Sequence, residues 1–412
     1  MSLYQSRLFW SRVACSLVAL LTVLFAAGCD TSAVAPAKPL TWQKRSLPIT
    51  VQSFVWVSSL DNSESVWLCQ SKGSTMQVWV SNDQAQHWQR TSDVTVKTGA
   101  STGEKGAQYS CNVTADAVDP KTAIITAFRG CCALNMPNTW NITHDGGKTW
   151  QSFKAPLSTQ SFPTSLATVT GTTYASFQET FANPYTTALV ASSDGLRTWH
   201  QIDEHLPTQN PESGRLVYQF WVNPETGQLL TNTAVNDTSR GYSVKLLTSN
   251  DGGKTWDTLP LFTSSSTLTT HAFMVQTPIA ARSWTLCDIQ SPNDNTSLST
   301  LTCTRDGGKT WSKIERASGF NPQDIGIADD GSLLELTYDT KPYYPKSIQR
   351  LAPGKTAWES LGPLPPNVFA VGSSIHFQYQ PGNDTGYLWL LPSFQPGLHP
   401  QDIQDIYVAS YA

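Results

Sequence analysis

THDGGKTW (143–150), SNDGGKTW (249–256) and TRDGGKTW (304–311) are near-copies of one eight-residue string. Asp-Gly between two extended runs is a strong hairpin signal, because glycine relieves a left-handed backbone position and the carboxylate accepts N–H groups within the turn. The closing Trp offers a large apolar ring to a small sheet. SNDQAQHW (81–88) and SSDGLRTW (192–199) are degraded copies, and LAPGKTAW (351–358) keeps little beyond its Trp.

The closing residues Trp88, Trp150, Trp199, Trp256, Trp311 and Trp358 recur roughly every 50 to 60 residues, a spacing typical of repeat architectures. Trp42 lies one such step upstream, and its context TWQKRSLP resembles the residues at the end of each box and just beyond it, such as TWDTLP at 255–260. Between boxes run short alternating segments, including VWLCQ (66–70), TAIITAF (122–128), KLLTS (245–249), LLELTY (333–338) and YLWLL (387–391). That is strand patterning, not a helical period. About four such runs per repeat make the content of one propeller blade.

The expected fold is therefore all-β: a seven-bladed β-propeller of four-stranded antiparallel blades, with six blades as the alternative. After the last box come SIHFQYQ (374–380), GYLWLLP (386–392) and DIYVASYA (405–412), which lack a fourth strand. The orphan strand at Trp42–Leu47 supplies it, closing the seventh blade with strands from both termini. The box residues Asp83, Asp145, Asp194, Asp251 and Asp306 read as structural, because repeats on a ring place them apart.

The box resembles the Asp-box, or bacterial neuraminidase repeat, of sialidases, two-domain xyloglucanases, sortilin-type receptors and photosystem II assembly factors. The resemblance implies a propeller with each box between the third and fourth strands of a blade. In sialidase-like relatives the ligand site lies on the opposite face. The longest segments expected there are 92–108, 129–138, 180–185, 203–215, 338–346 and 392–402. They offer Arg129, Tyr185, Glu212, Arg215, Tyr343 and Tyr344 as ligand-binding candidates, with Glu204, His205 and His399 beside them. Rings mixed with a few charges suit a sugar or a peptide. A sialidase-like reading also implies an Arg-Ile-Pro motif ahead of the first box. Lys44-Arg45-Ser46-Leu47-Pro48 does not match it. That reading needs at least three of Arg129, Arg215, Arg240, Arg282, Arg316 and Arg350 to converge.

Other chemistry is thinly represented. Gly99-Ala100-Ser101-Thr102-Gly103 has the esterase spacing but lies in a Gly/Thr-rich stretch with no helix after it. The sequence contains no HExxH, P-loop, GxGxxG or EF-hand string. No catalytic residue, metal site or cofactor is expected.

The first residues carry an address. Met1–Arg12 is basic, and Val13–Ala27 is an apolar run too short for a spanning helix. Ala26-Ala27-Gly28-Cys29 resembles a bacterial lipobox, with Ala26 where the family usually has Leu. The expected organisation is a lipoprotein-type signal peptide (1–28), a tether (29–40) lipidated at Cys29, and the propeller (41–412). This places the protein outside the cytoplasmic membrane, either lipid-anchored or secreted. Six cysteines remain beyond the leader. Cys287 and Cys303 lie on two runs joined by 290–297 and are expected to pair across a hairpin. Adjacent Cys131 and Cys132 are expected to bond to Cys69 and Cys111.

Charged residues make up 14% of the 412, with net charge −4. The roughly 25% of an average soluble protein is well above this. There is no basic footprint for nucleic acid, and 15 Trp with 13 Tyr and 15 Phe exclude wholesale disorder. The reading is a monomeric, extracytoplasmic, non-catalytic binding or scaffold module for glycan or protein ligands, touching the membrane through its N-terminal lipid only. A divergent sialidase-like exo-glycosidase is the alternative, and a photosystem II assembly factor-like protein a weaker one.

Overall fold

The computed structural model describes residues 39–51, 57–59, 65–95, 109–129, 139–155, 161–179, 186–203, 216–237, 241–259, 269–274, 286–292, 299–304, 310–316, 325–327, 332–338, 345–365, 375–380, 386–392 and 403–411. All lie in one compact unit, Lys38–Ala412. The described residues are all-β, without a helix.

Their strands assort into seven antiparallel sheets. Sheet 1 holds Val57–Ser59, Val66–Lys72, Thr75–Ser81 and Gln89–Arg90. Sheet 2 holds Tyr109–Ala115, Ala123–Arg129, Thr139–Thr143 and Gln151–Lys154. Sheet 3 holds Ser161–Val169, Thr172–Glu179, Thr186–Ser192 and His200–Gln201. Sheet 4 holds Leu216–Val222, Leu229–Asp237, Gly241–Ser249 and Asp257–Leu259. Sheet 5 holds Thr269–Met274, Leu286–Pro292, Ser299–Thr304 and Ser312–Arg316. Sheet 6 holds Ile325–Ile327, Leu333–Tyr338, Pro345–Leu351 and Glu359–Pro363. Within each, sequential strands pair in order, as in a meander. Sheet 7 differs: Ile375–Gln380, Gly386–Pro392 and Ile403–Tyr411 take Trp42–Val51 as their fourth strand. Trp42 stands opposite Ala409 and Arg45 opposite Ile406.

Apolar side chains on facing sheets form the core. Trp67, Val78 and Val80 of sheet 1 meet Val113 and Ile125 of sheet 2, with Trp150 against them. Ile124, Trp140 and Ile142 of sheet 2 meet Leu166, Phe177 and Val190 of sheet 3, with Trp199. Tyr174 and Leu189 of sheet 3 meet Phe220 and Leu247 of sheet 4, with Trp256. Trp221 of sheet 4, Leu301 of sheet 5 and Leu333 of sheet 6 share a cluster with Trp358. Ile406 and Val408 of sheet 7 pack on Val66 and Ala85 of sheet 1, with Leu47 and Trp88. Trp88, Trp150, Trp199 and Trp256 thus each fill the junction between their own sheet and the one before it.

Three indole N–H groups also tie those junctions. Trp88 Nε1 donates to the Ser46 carbonyl at 3.1 Å and Trp256 Nε1 to the Ile202 carbonyl at 3.2 Å. Trp42 Nε1 donates to the Pro363 carbonyl at 3.1 Å, so it serves sheet 7 as the box tryptophans serve theirs.

Two expectations need correction. Cys69 is bonded to Cys111, not to Cys131 or Cys132. The first two lie on facing strands of sheets 1 and 2, with Cα atoms 6.0 Å apart, within disulfide reach. Packing between sheets 1 and 2, which the sequence does not display, decides the partner. Cys131 and Cys132 lie outside the described residues. Cys287 and Cys303 are bonded, directly opposite each other in sheet 5, as expected. Secondly, segment 92–108 does not begin as a loop. Val94–Thr95 is a fifth strand of sheet 1 on Thr75–Met76, and Val94 is buried in the core.

Candidate functional site

Each box joins the third and fourth strands of its sheet, as at Ser81–Gln89, Thr143–Gln151, Ser192–His200 and Ser249–Asp257. The strands alternate in direction, so the first-to-second connections share the box end. The opposite end receives the second-to-third connections and the crossings to the next sheet.

The box turn is closed by its own side chains. The opening hydroxyl of Ser81, Thr143, Ser192 or Ser249 donates to the Asp at 2.8 to 3.0 Å. The same oxygen accepts the N–H four residues on, at 2.9 to 3.0 Å. Asp Oδ1 accepts the N–H of His87, Thr149, Thr198 or Thr255, and Oδ2 takes the hydroxyl of that Thr at 2.6 to 2.7 Å. In the first box His87 Nδ1 lies 2.5 Å from Asp83 Oδ2 in place of the Thr hydroxyl. These carboxylates are occupied by their own turns and sit on separate sheets.

Hydrogen bonding sets their acidity. For Asp83 and Asp145 partial burial is the largest influence and pushes upward, but the N–H and O–H donors together prevail and hold both at about 2. For Asp194 and Asp251 the Thr hydroxyl is the largest influence, and both also stand at about 2. A carboxyl depressed in the folded state stabilises it above the unfolded value, and that contribution is lost as pH falls through the folded value. Stability should therefore fall between about pH 4 and pH 2. Asp145→Asn should be less stable at neutral pH and flatter across that window, as read by thermal unfolding against pH.

Asp116, in the first-to-second connection of sheet 2, behaves oppositely. Burial raises its pKa, against hydrogen bonds from Thr168 Oγ1 and from the N–H groups of Val118, Asp119 and Thr168. It clasps sheet 2 to sheet 3, and its protonation offsets part of the acid loss. The box end is cross-linked further at His144. Its Nδ1 lies 3.0 Å from Thr122 Oγ1, and its Nε2 lies 3.2 Å from the carbonyl of Gly195 in the next box.

Backbone strain marks the degraded boxes. The middle of the turn is left-handed, with Gly146 and Gly147 at φ 74° and 83° and Gln84 and Ala85 at 58° and 59°. Leu196 takes the same position at 68°. Gln84→Gly should stabilise by about 0.5–1 kcal/mol, since left-handed strain is relieved against the entropy glycine adds to the unfolded chain. Leu196→Gly should instead cost about 2–3 kcal/mol, because Leu196 is buried in the junction of sheets 2 and 3. Chemical denaturation of both variants checks the sign reversal. At Gly253 an added Cβ would come within 2.8 Å of Ile202, so the intact boxes need glycine for contact as well as for φ.

The candidate loops all leave the opposite end. Segments 130–138, 180–185, 339–344 and 393–402 join second to third strands, and 204–215 crosses from sheet 3 to sheet 4. Arg129 ends the second strand of sheet 2 at that end. Tyr185, Glu212, Arg215, Tyr343 and Tyr344 lie outside the described residues, as do Cys29 and Asp306. Trp311 precedes the fourth strand of sheet 5, half-buried like the other box tryptophans. Of the arginines a sialidase-like site would need, Arg129, Arg316 and Arg350 belong to sheets 2, 5 and 6. Arg350 is buried within its sheet. Arg215, Arg240 and Arg282 lie outside the described residues. Sequence reading missed the buried Asp116 clasp, since one Asp in a short connection carries no pattern. Among the described residues no group of three His, Cys, Asp or Glu is placed to hold a metal.

No protein-family model matches the chain, and no curated protein sequence matches it. Solved structures do. The polysaccharide lyase Uly1 is 9% identical over 86% of this chain and 89% of its own, with TM-score 0.51. YCF48 bound to a D1 peptide is 14% identical over 92% of this chain and 99% of its own, with TM-score 0.48. The Trypanosoma rangeli sialidase is 12% identical over 73% of this chain and 54% of its own, with TM-score 0.39. The likeness to Uly1 is one of fold alone.

Proposed function

We propose that the chain is a closed seven-bladed Asp-box propeller acting as a non-catalytic binding module outside the cytoplasmic membrane, anchored by lipid at Cys29. The seven sheets would be the blades. Closure between sheets 6 and 7 is supported by the Leu40 N–H donating to the Leu361 carbonyl at 2.7 Å, and by Trp42 on Pro363. Two disulfides fit an oxidising compartment.

One observation carries the functional reading: the two ends of the strands are built differently. The box end is made mostly of short connections and self-satisfied turns, with 275–285 a longer connection among them. The other end carries the long connections 130–138, 204–215 and 393–402. Rigid sheets presenting adaptable loops at one end is the architecture of recognition. Function is argued from that end and not from the fold. The ligand class is a glycan or an extended peptide, met by the rings and charges of Tyr185, Glu212, Arg215, Tyr343, Tyr344 and Arg129, without a cofactor. The protein acts as a monomer.

The test is a glycan array and an immobilised peptide library probed with the purified chain, read for both retention and cleavage. Retention weakened at least tenfold by Tyr343→Ala/Tyr344→Ala, with no released sugar, is the expected result. Release of a terminal sugar would replace this reading with the glycosidase one.

A further inference from the structure

We infer that the box end of the strands rests against an anionic membrane surface, so that the loop end points away from it. The inference depends on the lipid-anchored reading above and assigns the anchored protein an orientation and a contact face.

The chain enters the fold at the box end, where Trp42 opens the fourth strand of sheet 7. Pro39 and Leu40 lie where the second half of a box lies in the other sheets. Pro39 Cβ stands 3.8 Å from the Cβ position of Gly362, much as Ile202 lies against Gly253 and Thr91 against Gly147. The chain that leads back to Cys29 therefore departs from the box end. Residues 29–38 span at most about 35 Å fully extended. A lipid at Cys29 holds that end near the bilayer.

The chemistry of the end agrees. The box turns at 143–150, 192–199 and 249–256 expose a cation two residues before the closing Trp, Lys148, Arg197 and Lys254, and the turn at 351–358 exposes Lys355 three residues before its Trp. Lys121 is exposed in a neighbouring connection. The ion pairs among the described residues, Lys44–Asp405, His87–Asp83 and Arg90–Asp93, use none of them. The box carboxylates are ionised but bound to their own N–H and O–H donors, whereas among the described residues no side-chain partner holds these cations. Glu225 and Asp257 are exposed acids at this end. Val118, the large hydrophobic side chain that is exposed among the described residues, also lies there. Cations within a Debye length of anionic headgroups, about 8 Å, strengthen partitioning by about fivefold each.

The experiment uses the full acylated protein in phosphatidylglycerol/phosphatidylcholine vesicles. Lysine acylation by a water-soluble ester is followed by peptide mass spectrometry, with the protein in detergent as reference. Lys148, Lys254 and Lys355 should be protected at least fivefold. Lys72 and Lys154, exposed at the opposite strand ends, should react as in detergent. The mass of the N-terminal peptide reports lipidation separately. An acylated protein whose two lysine sets react alike, or whose Lys72 and Lys154 are the protected ones, overturns the orientation and leaves the anchor standing. An N-terminal peptide without the acyl mass overturns both. Lys148→Glu/Lys254→Glu/Lys355→Glu should keep the acyl mass and lose protection at Lys121. Unchanged protection there would overturn the electrostatic contact.

Discussion

Trp140→Ala should lower the unfolding free energy by about 3–5 kcal/mol, the range for truncating a buried aromatic. Trp140 is 1% exposed and stands on the third strand of sheet 2. Its ring stacks on Phe177 of sheet 3, with centroids 4.7 Å apart and planes at 26°. Trp199, the closing residue of the next box, meets Trp140 edge-on at 5.8 Å and Phe177 at 6.0 Å. The three rings form one junction, so the cavity left by alanine has walls on two sheets and collapses poorly. Trp140→Phe keeps the stack on Phe177 and should cost less than half as much. Denaturant titration separates the two. If Trp140→Ala costs under about 1 kcal/mol, the junction is not the stabilising unit described here.

The second large effect concerns the Cys69–Cys111 bond. Its ends are 42 residues apart in sequence, against 16 for Cys287–Cys303. On the chain-entropy account, loops of these sizes are worth about 4 and about 3 kcal/mol. The first bond also joins two sheets, whereas the second lies within one. Cys69→Ala/Cys111→Ala should therefore lower the melting temperature more than Cys287→Ala/Cys303→Ala. It should also loosen the contact between sheets 1 and 2, seen as faster amide exchange at Trp67 and Val113. Equal losses in the two double variants would mean that the inter-sheet position adds nothing.

Sequence and structure agree where a local rule governs. The Asp-Gly turns were legible because the carboxylate and the left-handed glycine act within eight residues. Trp42 was legible because its flanks copy those of a box. The Cys287–Cys303 pair followed from a hairpin register. What escaped depends on contact between repeats. Cys69 met Cys111 across two sheets, Val94 turned inward as a fifth strand, and Asp116 was buried between sheets 2 and 3. Each outcome is decided by a neighbour distant in the chain, which periodicity does not encode. The candidate site was less legible still. Strand order fixes which end its connections leave from, but Tyr, Arg and Glu in loops follow no period and satisfy no repeating geometry.

Sheet 7 pairs Lys44 with Tyr407, residues from opposite ends of the chain. During synthesis the strand Trp42–Val51 has no partner until Ile403–Tyr411 has emerged, about 350 residues later. Its edge, and that of the third strand it will join, stay open to stray pairing for that whole interval. So long-range a contact also slows folding, since the chain must be closed end to end before that contact contributes anything. On the proposed extracytoplasmic reading, in which the chain crosses a membrane before it folds, this delay has a use. The chain cannot complete sheet 7 while part of it remains on the wrong side.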